Sequence, residues 1–576
     1  MKTGKYREKT IRMWIRLFPL IFILGILPLI VHLKLVNTGL ESYSWFPAQT
    51  ISADFFSWWR SRSFMAACIW MAAVLIYRAI VLKCSWKWEK SWTFLGGYLF
   101  FVLLSTVLSE YKNISWNGIA ENYEGCLMLL LYAFSFFYAA QVVEREQERI
   151  ILFEALAVGA IAQAVIGISQ LARRDFWGSS VGSALIAPGR NLSFQFADST
   201  ENPVYMTLYN PNYAAIFIVL VFPVCYYLVI SVKKKWQKAV FIGGILALLV
   251  CLWGTGSRAG MITLVVLGCG AILGRPGYKK KKYGLIIVFV IILAGVGIWL
   301  VQGDIRKTPY RLQDILISDK GIEIITSTGK CVVNAKTYGK DGALLFAKDE
   351  KGEKLSVKTE EETGRFAIED KRFKRFSFDA YAQDETLYIV MYYKSEPFTF
   401  VKKENQKFEY RNVFGKTDTI ETAATAISVG YDRILGSRGY IWNRVFPTLK
   451  KYILKGSGPD TFAMTFPQND YVGRINAAKV IYAGIITKPH SLYVQTAVQT
   501  GVLSLFCLLA FYGTSLKKLL KKNGKMWKAI ALCVAGYFIM GLVNDSMVVT
   551  APVFWVLLGI GSGTAGEQEP CENVIS

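Results

Sequence analysis

Ala239–Trp253 (AVFIGGILALLVCLW), Gly254–Arg258 (GTGSR) and Ala259–Gly274 (AGMITLVVLGCGAILG) follow one another without a break, and how this stretch is read decides the fold. As one helix, these roughly 36 residues would run about 54 Å at about 1.5 Å per residue. The hydrocarbon core of a bilayer is only about 30 Å thick. The run must therefore turn back on itself. Gly254-Thr255-Gly256-Ser257-Arg258 supplies the turn, because its glycines and its charge favour the interface. Arg258 at mid-membrane would cost about 2.5–3.5 kcal/mol on insertion scales.

Working outward, ten further apolar runs are legible: Leu17–Leu33, Phe64–Leu82, Trp92–Leu108, Gly125–Val143, Ile150–Leu171, Tyr213–Val232, Leu285–Val301, Leu492–Tyr512, Ala529–Val543 and Met547–Ile560. Most approach the roughly 20 residues that a membrane helix needs, and the shorter ones can borrow flanking residues. The first is preceded by basic residues, as a signal peptide would be. No small-residue cleavage site follows, so it reads as a retained helix. The chain is 53% hydrophobic and 19% charged, against roughly 25% charge in soluble domains. This hydrophobicity excludes a disordered chain and speaks against a soluble cytosolic enzyme. The expectation is an all-α polytopic membrane bundle of about twelve transmembrane helices, with a large extracytoplasmic loop that contains a β-rich insert.

The net charge of +24 is explained by position. With a cytoplasmic N-terminus, segments 1–16, 83–91, 144–149, 233–238, 275–284 and 513–528 face inward and hold 26 basic residues. The short outward loops hold only 8, so the positive-inside asymmetry selects this orientation and puts both termini in the cytoplasm. Lys233-Lys234-Lys235 and Lys279-Lys280-Lys281-Lys282 then face anionic lipid rather than nucleic acid.

Four segments follow: membrane helices over 1–301, the β-rich insert over 302–415, a helical and loop segment over 416–490, and membrane helices with a cytoplasmic tail over 491–576. The insert reads as strands at Ile322–Thr326, Phe376–Tyr381 and Leu387–Tyr393, where β-formers and alternation recur. Turn signals such as Lys340-Asp341-Gly342 separate them. Basic and acidic residues nearly balance through the insert. From Tyr431 to His490 there are nine basic residues against three acidic ones, a surface on which an anionic headgroup can dock. Ten cysteines, mostly within apolar runs, suggest no disulfide framework. Two histidines, His32 and His490, are too few for a His-rich metal site.

Three features share the outward side of this topology. They are Arg258 at the hairpin tip, Arg438 within Gly436-Ser437-Arg438-Gly439-Tyr440-Ile441-Trp442, and His490 within Lys488-Pro489-His490-Ser491. Guanidinium groups bind phosphate bidentately and stay charged. A histidine can act as a base near neutral pH. Two arginines and one histidine suit a diphosphate leaving group and an acceptor hydroxyl. Taken singly, each has a plainer reading: an interfacial anchor for each arginine, a helix cap for His490. Asp460, in Gly458-Pro459-Asp460, reads as a turn residue, and His32 as structural.

Together the motifs resemble the O-antigen ligase and polymerase superfamily of bacterial membrane glycosyltransferases. The pieces that carry the resemblance are Tyr123-Glu124-Gly125, Asn210-Pro211-Asn212-Tyr213, Thr255-Gly256-Ser257-Arg258-Ala259-Gly260, Arg438-Gly439-Tyr440-Ile441-Trp442, Gly456-Ser457-Gly458-Pro459-Asp460-Thr461-Phe462 and Pro489-His490-Ser491. The ligase signature reads here as His490-Ser491, nine residues, Gly501, and then Ser504 where the family has Gly, Thr or Tyr. The β-rich insert lies outside the resemblance. The resemblance implies a GT-C-like, metal-independent, inverting transferase without a cofactor. Its donor would be a glycan on polyprenyl (undecaprenyl) diphosphate, and its acceptor a glycan, a lipid or a protein. Arg258 and Arg438 would hold the diphosphate, and His490 would orient or deprotonate the acceptor. Tyr440, Trp442, Asn210, Asn212 and Ser491 would line the substrate site. The rival reading is a transporter or channel, for which midplane polar sites and inverted repeats would be expected.

Overall fold

The structure is a computed structural model and describes residues 2–190, 192, 194, 196, 203–273, 311–339, 341–404, 406–427, 432, 434–478, 481 and 484–563. Its longer helices are α1 (Lys2–Ile21), α2 (Trp58–Ile80), α3 (Trp92–Val107), α4 (Cys126–Val142), α5 (Glu146–Leu171), α6 (Pro211–Ser231), α7 (Lys235–Gly254), α8 (Arg258–Leu273), α9 (Ile434–Tyr452), α10 (Leu492–Thr500), α11 (Val502–Lys521), α12 (Lys525–Gly541) and α13 (Ala551–Ser562).

These helices do not make an all-α bundle of twelve spans. Among the described residues six helices are long and apolar enough to cross a membrane: Thr10–Leu29, Trp58–Ile80, Glu146–Leu171, Pro211–Ser231, Lys235–Gly254 and Val502–Lys521. They support membrane association. A large antiparallel sheet occupies much of the rest of the chain. The expectation fails because an apolar run fixes composition, not helix length. Leu492–Tyr512 is one run in sequence but two helices in space. Gly501, at φ +94°, separates α10 from α11, and an added Cβ there would lie 2.5 Å from the Leu454 carbonyl oxygen. Trp92–Leu108 and Gly125–Val143 form helices of 16 and 17 residues. Met547–Ile560 yields only the 12 residues of α13, because Met547–Thr550 is spent on a turn. The run Leu285–Val301 lies outside the described residues. The hairpin reading of 239–274 corresponds to α7 and α8, joined through Gly256 at φ +61°.

α6 is the buried centre of the helical part, with Ile216 through Val221 almost wholly inaccessible. α12 packs on α6, α13 on α4, and α11 on α3, so the C-terminal helices close around the N-terminal ones. Eight of the described cysteines are free thiols, and Cys84 is disulfide-bonded.

A short hairpin pairs β1 (Lys34–Asn37) with β2 (Ile51–Asp54). The large sheet contains β3 (Leu312–Ser318), β4 (Gly321–Thr326), β5 (Gly329–Tyr338), β6 (Gly342–Asp349), β7 (Lys354–Leu355), β8 (Val357–Thr359), β9 (Phe366–Ile368), β10 (Phe376–Gln383), β11 (Thr386–Tyr393), β12 (Glu396–Lys403), β13 (Glu409–Arg411) and β14 (Thr417–Asp418). Its main path runs β14-β13-β12-β11-β10-β6-β5-β4-β3, with β7, β8 and β9 appended. β6 alternates buried and exposed residues, placing Ala343, Leu345 and Ala347 in the core and Leu344 and Phe346 outside. This is the period-two pattern of a half-covered sheet. The covered face also packs on Tyr471, Val472 and Ile475 of the short helix Tyr471–Ala478. The Asn476 side chain donates to the Leu312 carbonyl at 2.7 Å, and Tyr471 donates to Asp418 at 2.5 Å. The sheet is thus anchored to the segment that precedes His490.

Candidate active site

His490 follows Pro489 and stands just before α10, at φ +55°, a conformation that L-residues rarely adopt. Two neighbours fix it. Its Nδ1 lies 3.0 Å from Asp545 Oδ2, and the Ser491 amide donates to Asp545 Oδ1 at 3.0 Å. Asp545 is wholly buried, whereas the His490 side chain is 46% exposed, so the ring is held on one edge and open on the other. The Trp442 indole donates to the Pro489 carbonyl at 2.8 Å and steadies the same loop. Asp545 comes from the Asn544-Asp545-Ser546 connection between α12 and α13, and the Asn544 carbonyl accepts from the Leu492 amide at 2.8 Å.

His490 opens onto a cavity of about 410 Å³ whose walls include Glu121, Tyr209, Asn210, Tyr213, Tyr440, Arg474 and Lys488. Lys488 is buried and committed elsewhere. Its Nζ donates to Glu124 Oε2 at 3.1 Å and to the Ser546 carbonyl at 2.7 Å. Glu124 also accepts from Ser546 at 2.8 Å and from Tyr132 at 2.9 Å. The cation is therefore neutralised, and a buried pair of this kind is sensitive to loss of either partner.

Asp460 holds Asn122, another wall of the cavity. It is a turn residue, as its Gly-Pro-Asp setting indicates, but it is also fully buried. It accepts from the Ile119 amide at 2.9 Å, the Glu124 amide at 3.1 Å and the Asn122 side chain at 3.0 Å. Burial, reinforced by Glu124 and opposed by Lys488, pushes its carboxyl up to about 6. Glu121, Tyr123, Tyr209, Asp460 and His490 all have positive φ. Each such residue stores of order 1–3 kcal/mol, held by surrounding contacts.

The other expected site residues fall into two groups. Asn210 and Tyr440 line the cavity with His490. Asn210 also caps α6, accepting from the Asn212 and Tyr213 amides at 2.9 and 3.2 Å. Arg438 stands close by on α9. Burial pulls its guanidinium down, while the charges of Asp545 and Tyr213 push it back up. Trp442 and Ser491 support the loop: Ser491 is buried and its hydroxyl donates to the Gly541 carbonyl at 3.4 Å. Asn212 is exposed in the first turn of α6. Arg258 opens α8 with an exposed side chain and is not a wall of the cavity. Its end of α8 lies at the same end of the bundle. Gly260 packs against Ala215 near the start of α6, and Thr263 donates to Met540 near the end of α12.

Sequence reasoning missed Asp545, the Glu124–Lys488 pair and Glu121. Asn544-Asp545-Ser546 had a legible signal: a carboxylate in a three-residue connection between apolar runs. Glu124 and Lys488 belong to quoted motifs, but nothing in one sequence pairs residues so far apart.

Compared with known proteins, the chain matches no family model, no curated protein and no solved structure.

Proposed function

We propose that this chain transfers a glycan from polyprenyl (undecaprenyl) diphosphate to an acceptor hydroxyl, in the manner of an O-antigen ligase or polysaccharide polymerase. The observation that carries the reading is a half-exposed imidazole, locked by a buried carboxylate, on the wall of a cavity beside Arg438. With Nδ1 engaged by Asp545, Nε2 is the edge available to an acceptor O–H. The acceptor oxygen attacks the anomeric carbon and its proton passes to Nε2. The bond to the diphosphate oxygen breaks, and that oxygen leaves with the electron pair. Attack opposite the leaving group inverts the anomeric centre. A well-placed base contributes about 10²–10⁴-fold, and Asp545 stabilises the imidazolium that forms. Arg438 and Arg258 take the diphosphate, whose departure needs charge stabilisation. Lys488 does not share that role, because Glu124 already neutralises it.

The site faces outward and both termini face the cytoplasm in this reading. α7 runs from the Lys233-Lys234-Lys235 end to the Gly254 end. The separation of Lys233-Lys234-Lys235 from the Gly254 end of α7 supports this orientation under the positive-inside asymmetry. The resemblance carried by the Arg258, Arg438 and His490 motifs adds to this support. The test is a cell lacking the protein, complemented with wild type or with His490→Ala. The expected result is loss of surface glycan and build-up of polyprenyl-linked glycan in the mutant. Equal profiles contradict the role of His490.

A further inference from the structure

A second cavity, of about 420 Å³, adjoins the first and shares Glu121, Tyr209 and Asn210 with it. Its remaining walls include Asp54, Phe55, Phe56 and Phe196. The lining thus pairs aromatic faces with two carboxylates. Asp54 is the informative residue. Its Oδ1 accepts from the Ser57 and Trp58 amides at 2.9 and 3.0 Å and so caps α2. Its Oδ2 is buried with no hydrogen-bond partner among the described residues. An orphaned buried acceptor calls for a donor that is not part of the protein fold. Glu121 has one oxygen tied to the Ser52 hydroxyl at 2.9 Å, at φ +73°. Burial raises both carboxyls above their ordinary range, and the charge of Asp54 raises Glu121 further, so neither wall favours an anion. Arg60 lies near Asp54; its Nε and Nη2 donate to the Leu27, Pro28 and Thr207 carbonyls, and its Nη1 is buried with no partner among the described residues.

We propose that this cavity is a pyranose subsite, in which a neutral sugar ring stacks on the aromatic walls and donates hydroxyl hydrogens to Asp54 Oδ2 and Glu121. Aromatic rings offer apolar faces to sugar C–H groups, and the carboxylates take the O–H groups that those faces cannot satisfy. Because the cavity shares Glu121, Tyr209 and Asn210 with the His490 cavity, the ring bound here is the one next to the reacting sugar. This assignment of position rests on the transferase reading; the binding itself does not.

Asp54→Asn is a clean probe. Its side-chain oxygen keeps the α2 cap, since Asn caps as well as Asp, while the orphaned acceptor becomes an NH2 donor. Saturation-transfer NMR on the full chain in lipid nanodiscs, with methyl glucoside, methyl galactoside and N-acetylglucosamine as probes, reads the binding. Expected is saturation of ring C–H protons of at least one sugar in wild type and equally in His490→Ala. A weakening of about tenfold is expected in Asp54→Asn, at unchanged melting temperature. No saturation with any probe overturns the proposal, as does equal binding by wild type and Asp54→Asn. Loss of transfer activity in all forms with sugar binding intact would sink the transferase reading and leave the subsite standing.

Discussion

The large sheet and the cavity end of the helices both hold non-glycine residues at positive φ, but for different reasons. In the sheet they are Asp384-Glu385 and Lys394-Ser395. Each pair forms the two-residue turn of a hairpin, between the cross-strand partners Gln383 and Thr386 or Tyr393 and Glu396. Positive φ at both turn positions matches the twist of the strands, so the local topology demands it. At the cavity, Glu121, Tyr209, Asp460 and His490 lie in no hairpin, and distant residues hold them. Asp545 grips the His490 loop from 55 positions away, and Asp460 grips Ile119 from 341. Strain that the local chain does not require, held by such distant contacts, is consistent with the proposed site.

The widest separation between the regions is expected in activity. His490→Ala should reduce transfer by about 10²–10⁴-fold, measured as polyprenyl diphosphate released per unit time, with the melting temperature little changed. Asp545→Asn should fall in the same range, because the imidazole loses the carboxylate that orients it. Next come the ion pairs. Glu124→Gln strands buried Lys488 and should destabilise by about 3–5 kcal/mol. Lys330→Ala, which removes the partly exposed partner of Glu323 in the sheet, should cost no more than about 1 kcal/mol. Equal losses in thermal denaturation would erase the contrast.

A third test uses pH. Asp460 is raised to about 6, so its contribution is complete below its ordinary value of 3.8 and disappears as pH rises through about 6. Between pH 3.8 and 6 the wild type should lose melting temperature relative to Asp460→Asn, and the difference should be flat above that window. Asp370 in the sheet is lowered by its hydrogen bonds to Arg372, so its contribution has the opposite sign and is lost as pH falls. The smallest effect is the sharpest comparison. Glu385→Gly creates an Asp-Gly turn and should gain a few tenths to about 1 kcal/mol with transfer unchanged. His490→Gly relieves the same backbone strain and should abolish transfer.

What was legible in the sequence follows from the range of the forces involved. Alternation is local, and Ile322–Thr326, Phe376–Tyr381 and Leu387–Tyr393 are all within strands. The hairpin at Gly254–Arg258 follows from length alone. Helix ends were not legible: the break at Gly501 depends on the Leu454 carbonyl oxygen lying where a Cβ would go, a contact across 47 residues. His490 is legible by its chemistry and Asn210 and Tyr440 through the resemblance, and all three line one cavity. Asp545 and Glu124 act through partners that only the fold brings near. Arg258 opens α8 and is not a wall of that cavity.

The most direct measurement reconstitutes the purified chain in lipid nanodiscs with polyprenyl-diphosphate-linked glycan extracted from cells lacking the protein. Release of free polyprenyl diphosphate is then followed. Release by wild type that falls by at least about a hundredfold in His490→Ala is the predicted result. No release by wild type, or undiminished release by His490→Ala, would contradict the account.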